Sequence, residues 1–110
     1  MSWIPLFSTS KLVKNAGVCA KYEEQQIAIF CVQQAQEEQI YALHNWDPIG
    51  EANVLSRGIL GSLGESLVVA SPLYKQHFCL KTGKCLEQDD VYVPVYQVRC
   101  NQGNVELLVE

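Results

Sequence analysis

Two polar loops carry most of the side chains in this chain that could do chemistry. The first opens Asn45-Trp46-Asp47-Pro48. The second opens Ser71-Pro72-Leu73-Tyr74 and runs on through Lys75, Gln76, His77 and Phe78. Asp47 and Glu51 offer a carboxylate pair of the kind used for acid–base work. Asp47 ahead of a proline also suits a loop cap that accepts backbone N–H groups, and that is the expected role. Ser71 has no base beside it and no Gly-x-Ser-x-Gly setting, so its hydroxyl is expected to satisfy nearby backbone. His44 and His77 flank the loops. With Asp47 and Tyr74 they could offer ligands to one metal ion, against the simpler role of hydrogen-bonded loop imidazoles. Trp46, Ile49, Leu73 and Tyr74 put apolar and aromatic groups at the loop tips. Mutual packing accounts for part of this. The rest reads as a partner surface rimmed by Arg57, Lys75 and His77.

The elements that must position these loops read as short β-strands. Trp3–Phe7 contains Pro5 and suits an edge strand. Ser8-Thr9-Ser10 offers a turn or a short helix cap. Val18–Tyr22 and Gln26–Val32 read as a hairpin around Glu23-Glu24-Gln25. Ile27–Val32 is apolar on both faces and belongs centrally. Gln33–Glu38 reads as the next turn. In the following strand, Glu38–Leu43, Ile40 and Ala42 point one way and Tyr41 and Leu43 the other. Gly58, Gly61 and Gly64 punctuate the return from the first loop. Their spacing is too open for a dinucleotide fingerprint, and no long helix follows. Leu67–Ala70 is a short buried strand feeding the second loop. Phe78–Leu86 reads as a hairpin around Thr82-Gly83. Val91–Cys100 and Asn104–Val109 read as a closing pair joined by Asn101-Gln102-Gly103, with Pro94 marking an edge or bulge. In the last strand Val105, Leu107 and Val109 share the buried face. The sum is an all-β chain, an antiparallel sandwich or small barrel with a two-loop lobe at about residues 44–78 inserted.

With 110 residues, the chain is expected to form one domain with a real core over 1–110. A net charge of −4 with scattered Lys and Arg argues against nucleic acid and against a membrane surface. No stretch is long and apolar enough to span a bilayer, and no export signal is evident, so a cytoplasmic location is expected. The five cysteines, Cys19, Cys31, Cys79, Cys85 and Cys100, have irregular spacing without Cys-x-x-Cys. They read as buried, unbridged thiols in strands rather than a zinc site.

The two-loop layout resembles the Rieske family, in which Cys-x-His and Cys-x-x-His fingers hold a [2Fe–2S] cluster. Phe78 through Leu86, with Thr82-Gly83, fits the family's continuation. The ligand positions do not fit: Asn45 and Ser71 stand for the cysteines, and Asp47 and Tyr74 for the histidines. Within the family, the sequence resembles the small subunits of cytoplasmic NAD(P)H-dependent nitrite reductases. Asn45, Asp47, Pro48, Val54 to Gly58, Ala70 to Leu73, Lys75, Gln76 and Phe78 carry that resemblance, which covers nearly the whole chain. Gln33–Glu38, acidic and glutamine-rich, departs from it. The resemblance implies a non-catalytic subunit without its own cluster. It also implies a large-subunit partner that carries FAD, a [4Fe–4S] cluster and sirohaem and reduces nitrite to ammonium. The rival roles are a [2Fe–2S] electron carrier and a stand-alone binding module.

Overall fold

The computed structural model describes residues 1–34 and 36–110. Its strands, in chain order, are β1 (Ser2–Ser8), β2 (Ala16–Tyr22), β3 (Gln25–Gln34), β4 (Glu37–His44), β5 (Trp46–Asp47), β6 (Ala52–Asn53), β7 (Ile59–Leu63), β8 (Ser66–Ala70), β9 (His77–Cys79), β10 (Val95–Tyr96), β11 (Val98–Asn101) and β12 (Asn104–Val109). Single 3₁₀ turns cover Thr9–Lys11, capped by the Ser8 hydroxyl, and Leu55–Arg57. No α-helix occurs among the described residues, so none is long and apolar enough to cross a membrane. All strand pairings are antiparallel, in sheets ordered β1-β12-β11, β10-β4-β3-β2, β7-β8-β9 and a small β5-β6 ribbon.

β3 is central because both of its faces are apolar. Ile27 and Ile29 pack with Ala42, Val105 and Leu107 on one side. Ala28, Phe30 and Val32 pack with Leu43, Leu55, Val69 and Phe78 on the other. Each fully buried Ile, Leu or Phe here contributes on the order of 1.5–3 kcal/mol. β4 alternates as expected: Ile40 and Ala42 serve the first core, Tyr41 and Leu43 the second. β1 is an edge strand, and its register slips between Pro5 and Phe7. Val105 and Leu107 of β12 are buried as the pattern requires.

Three expectations change. The turn expected over Gln33–Glu38 is tighter, because Gln33 pairs with Glu38 and Gln34 with Glu37. Polar side chains cost a strand nothing where they face water. Ala35, inside that stretch, lies outside the described residues. Val91–Cys100 is not one strand. Pro94 lacks an N–H, its carbonyl accepts from His44 N, and Val95-Tyr96 pairs with β4. Gln97 O then accepts from Leu108 N, and the chain crosses to β12 as β11. The glycine-punctuated return is itself a strand, β7, paired with β8 through a two-residue turn at Gly64-Glu65. Gly64 has φ +62°, so the glycine that disguised the strand is the residue its turn needs.

Candidate functional site

Both loops are built to one plan. The first is Asp47-Pro48-Ile49-Gly50-Glu51 and the second Ser71-Pro72-Leu73-Tyr74-Lys75. In each, the fifth backbone N–H returns to the first carbonyl: Glu51 N to Asp47 O at 2.7 Å and Lys75 N to Ser71 O at 3.1 Å. Each fifth residue is left-handed, Glu51 at φ +56° and Lys75 at φ +66°. Each first side chain caps its own turn. Asp47 Oδ1 accepts from Ile49 N at 2.8 Å and Gly50 N at 3.0 Å, and Ser71 Oγ accepts from Leu73 N at 3.3 Å. The Asp47 cap expected from the sequence is therefore present in the geometry.

The two fingers then lock together. Ser71 Oγ donates to Asp47 Oδ2 at 2.5 Å. Asn45 anchors the first finger's root. Its Oδ1 accepts from Ser56 N at 2.7 Å and its Nδ2 donates to Gln26 Oε1 at 3.1 Å. Its carbonyl accepts from both Val54 N and Leu55 N. Asn45, Asp47 and Ser71 are the three buried polar side chains among the described residues. All three are among the positions that the family resemblance leads one to expect at a cluster. Buried polar groups are tolerated only when their hydrogen bonds are made, and here they are.

The fourth position differs: Tyr74 is 65 % exposed and makes no hydrogen bond among the described residues. Trp46 and Leu73 are also exposed at the tips. Ile49 is not a free tip residue. It is half-buried and packed against the second core. Leu73 lies over Gly50, where an added Cβ would sit 2.4 Å from Leu73 Cδ1. Arg57 and Lys75 are exposed. His77 is engaged with Glu87: its backbone N–H donates to Glu87 Oε1 at 2.7 Å and its ring Nδ1 lies 2.6 Å from Oε2. Burial raises the Glu87 pKa, but the His77 hydrogen bonds and charge outweigh it, and the net shift is downward.

Sequence reading missed Gln26, whose register beside Asn45 follows from Ile27 pairing with His44. It also missed Glu87, which carries no local signal. All five cysteines are free, but only Cys31 and Cys85 are buried; Cys79 is half-buried, and Cys19 and Cys100 are exposed. Burial pushes the Cys19, Cys31 and Cys100 thiols up; the Arg57 charge opposes this at Cys19, and Glu38 adds to it at Cys31 and Cys100. For Cys79, burial raises the pKa, but hydrogen bonds from Thr82 and the Lys81 backbone and charge lower it overall.

The donor set does not fit an iron–sulfur cluster. The four finger positions offer an amide, a carboxylate, an alcohol and a phenol, whereas these clusters are held by thiolate with or without imidazole. Asp47 and Ser71 spend their oxygens on each other and on backbone amides. No three His, Cys, Asp or Glu side chains gather to hold a metal ion among the described residues.

The paired fingers on an antiparallel all-β scaffold define the class, a Rieske-like domain. Residues 2–108 match the family model described as Rieske-like [2Fe-2S] domain. The chain belongs to the Rieske-like family, in the branch of nitrite reductase small subunits. The Escherichia coli K12 nitrite reductase (NADH) small subunit is 37% identical over 96% of this chain and 95% of its own. The solution structure of the nitrite reductase [NAD(P)H] small subunit from Erwinia carotovora is 42% identical. It covers 100% of this chain and 84% of that one, with a TM-score of 0.79. A nitrite reductase [NAD(P)H] large subunit from Klebsiella oxytoca is 38% identical over 94% of this chain, which spans only 10% of that protein.

Proposed function

We propose that this chain, taken as one domain over residues 1–110, is the non-catalytic small subunit of a cytoplasmic NAD(P)H-dependent nitrite reductase and holds no [2Fe–2S] cluster. In this reading FAD, a [4Fe–4S] cluster and sirohaem belong to the large subunit, which reduces nitrite to ammonium. The chain contributes docking and assembly through its fingertips. The observation that carries the reading is the closed Asp47–Ser71 clasp, with Asn45 engaged at the first finger's root, in place of ligands. A cluster-binding pair of fingers must present open donors to iron; here Asp47 and Ser71 are consumed in joining the fingers and Asn45 in anchoring the first one. The partner reading is supported by the near full-length similarity to the Escherichia coli small subunit. It is supported again by the Klebsiella oxytoca large subunit, in which a similar stretch shares one chain with the rest of that protein. Five free thiols suit a reducing compartment.

Docking falls to Trp46, Leu73 and Tyr74, with Ile49 beneath them and Arg57, Lys75 and His77 at the rim. Exposed aromatic side chains next to a rigid support are the usual anchors of an interface. The test mixes the purified chain with its purified large subunit. Co-elution is expected, with higher NADH- or NADPH-dependent nitrite reduction than the large subunit alone. A Trp46→Ala, Tyr74→Ala double variant should bind roughly tenfold or more weakly. Separate elution at micromolar concentrations, with no change in activity, would overturn the proposal.

A further inference from the structure

A strand edge lies open beside the fingers. β7 is the outer strand of the β7-β8-β9 sheet, and its free side is unpaired among the described residues. Among the described residues, no backbone hydrogen bond reaches it from outside that sheet. Its sequence, Ile-Leu-Gly-Ser-Leu, has no charge and no proline, and its register runs unbroken from Ile59–Ala70 to Leu63–Ser66. Among the described residues, the other edges of the three larger sheets are defended. β1 carries Pro5 and a slipped register. β2 carries Lys21 and runs beneath the second 3₁₀ turn, where a Cβ on Gly17 would lie 2.6 Å from Ser56 O. β11 carries Arg99, and β9 and β10 are three and two residues long. Proteins blunt strand edges by such devices, and an undefended neutral edge is a template for another strand.

The side chains on β7 agree. Ile59 is 72 % exposed and Leu63 44 %. At Gly61, between them, nothing lies within 4 Å of where a Cβ would stand. A cavity of about 280 Å³ opens alongside, lined in part by Leu60, Gly61, Ser62, Leu67 and Leu80. A partner's backbone could approach Gly61 closely while one of its side chains entered that cavity.

We propose that β7 is a strand-pairing site at which the large subunit adds an extended apolar segment to the β7-β8-β9 sheet. This rests on the partner reading above. A second copy of this chain is a poorer occupant. Pairing β7 with β7 would engage five residues a side, against roughly 20–30 a side in a stable interface. A partner already seated on the fingertips lacks that shortfall, because β7 starts where both fingers are rooted. Gly58 joins the first finger's return to Ile59, and Ile59 pairs with Ala70, the residue before Ser71. In the Klebsiella oxytoca large subunit, the matching stretch is tethered to large-subunit chain. A tether raises the local concentration of such a segment.

Hydrogen exchange on the full wild-type chain, free and with its large subunit, tests this without any variant. Amides within 59–63 should slow about tenfold or more in the complex, while those on the β1 and β11 edges stay unchanged. An Ile59→Lys, Leu63→Lys double variant should keep its melting temperature, since both side chains are exposed, and bind about tenfold more weakly. Unchanged β7 exchange in a formed complex would overturn the strand-pairing site. So would wild-type binding by the lysine variant. In either case a continued effect of Trp46→Ala, Tyr74→Ala leaves the partner reading standing. If the wild-type chain does not bind the large subunit at all, the partner reading fails and this proposal with it. Protection of β7 in the free chain that rises with its own concentration would assign the edge to a second copy and overturn the proposal.

Discussion

The core around β3 and the clasp between the fingers are both shut away from water, yet they are made of opposite materials. Around β3 the buried groups are Ile27, Ile29, Phe30, Val105 and Leu107. At the fingers they are the Asp47 carboxylate and the Ser71 hydroxyl, bonded to each other, and the Asn45 amide at the first finger's root. Apolar burial is non-directional and scales with area, so a core tolerates shape-conserving change. A buried polar network is directional, and removing one member leaves the others desolvated and unpaired. The scaffold around β3 is thus held by many interchangeable contacts. The fingers are held by few, each with a fixed partner. Here one hydrogen bond, from Ser71 to Asp47, joins the two fingers.

That contrast can be broken by mutation. The largest loss is expected from Asp47→Ala, which strips the acceptor from Ser71 Oγ and from the Ile49 and Gly50 amides. At roughly 1–3 kcal/mol per orphaned group, the total should reach about 3–5 kcal/mol. The melting temperature should then fall by roughly 15 °C or more, measured by circular dichroism. Leu107→Ala in the β3 core should cost about 3 kcal/mol, and Leu107→Met under about 1.5, because the core can repack. Ser71→Ala should cost about 2 kcal/mol by leaving a buried Asp47 oxygen unpaired. A double-mutant cycle sharpens the comparison. Asp47 with Ser71 should couple by about 1 kcal/mol or more, and Asp47 with Leu107 by less than about 0.5. Tyr74→Ala, at a side chain 65 % exposed, should change stability by about 0.5 kcal/mol or less, so loss of large-subunit binding by that single variant reports the interface alone.

The smallest effect concerns Glu87. Its folded-state pKa is lowered, so it adds stability above the ordinary carboxylate value and loses it as pH falls through the lowered one. The melting-temperature difference between wild type and Glu87→Gln should be full above the ordinary carboxylate range and shrink away only as pH falls through the lowered Glu87 value. A difference that persists at lower pH would show that Glu87 acts through packing.

Much of this was legible in the residues themselves. The two-faced apolar run of β3 announced a central strand, and the alternation in β4 correctly assigned its faces. The cap by Asp47 followed from an acidic residue before proline. The Asp47–Ser71 contact did not, since it joins residues 24 apart in the chain. The shared five-residue plan of the fingers was on the page as Asp-Pro-aliphatic and Ser-Pro-aliphatic. Its second half was hidden because Gly50 and Tyr74 have nothing in common as side chains. β7 was obscured by glycines, which lower strand propensity whether they sit in the strand or in its turn. The break in Val91–Cys100 depended on which sheet captured Val95-Tyr96, a tertiary choice that local propensity does not carry.

The most direct test of the clasp is iron and acid-labile sulfide analysis of the chain isolated without oxygen from its native cells, alone and in complex. Neither is expected in the isolated chain, and its melting temperature should stay unchanged when iron and sulfide are supplied. Two irons and two sulfides per chain, lost together with the Asp47–Ser71 pair in a Ser71→Ala variant, would contradict it.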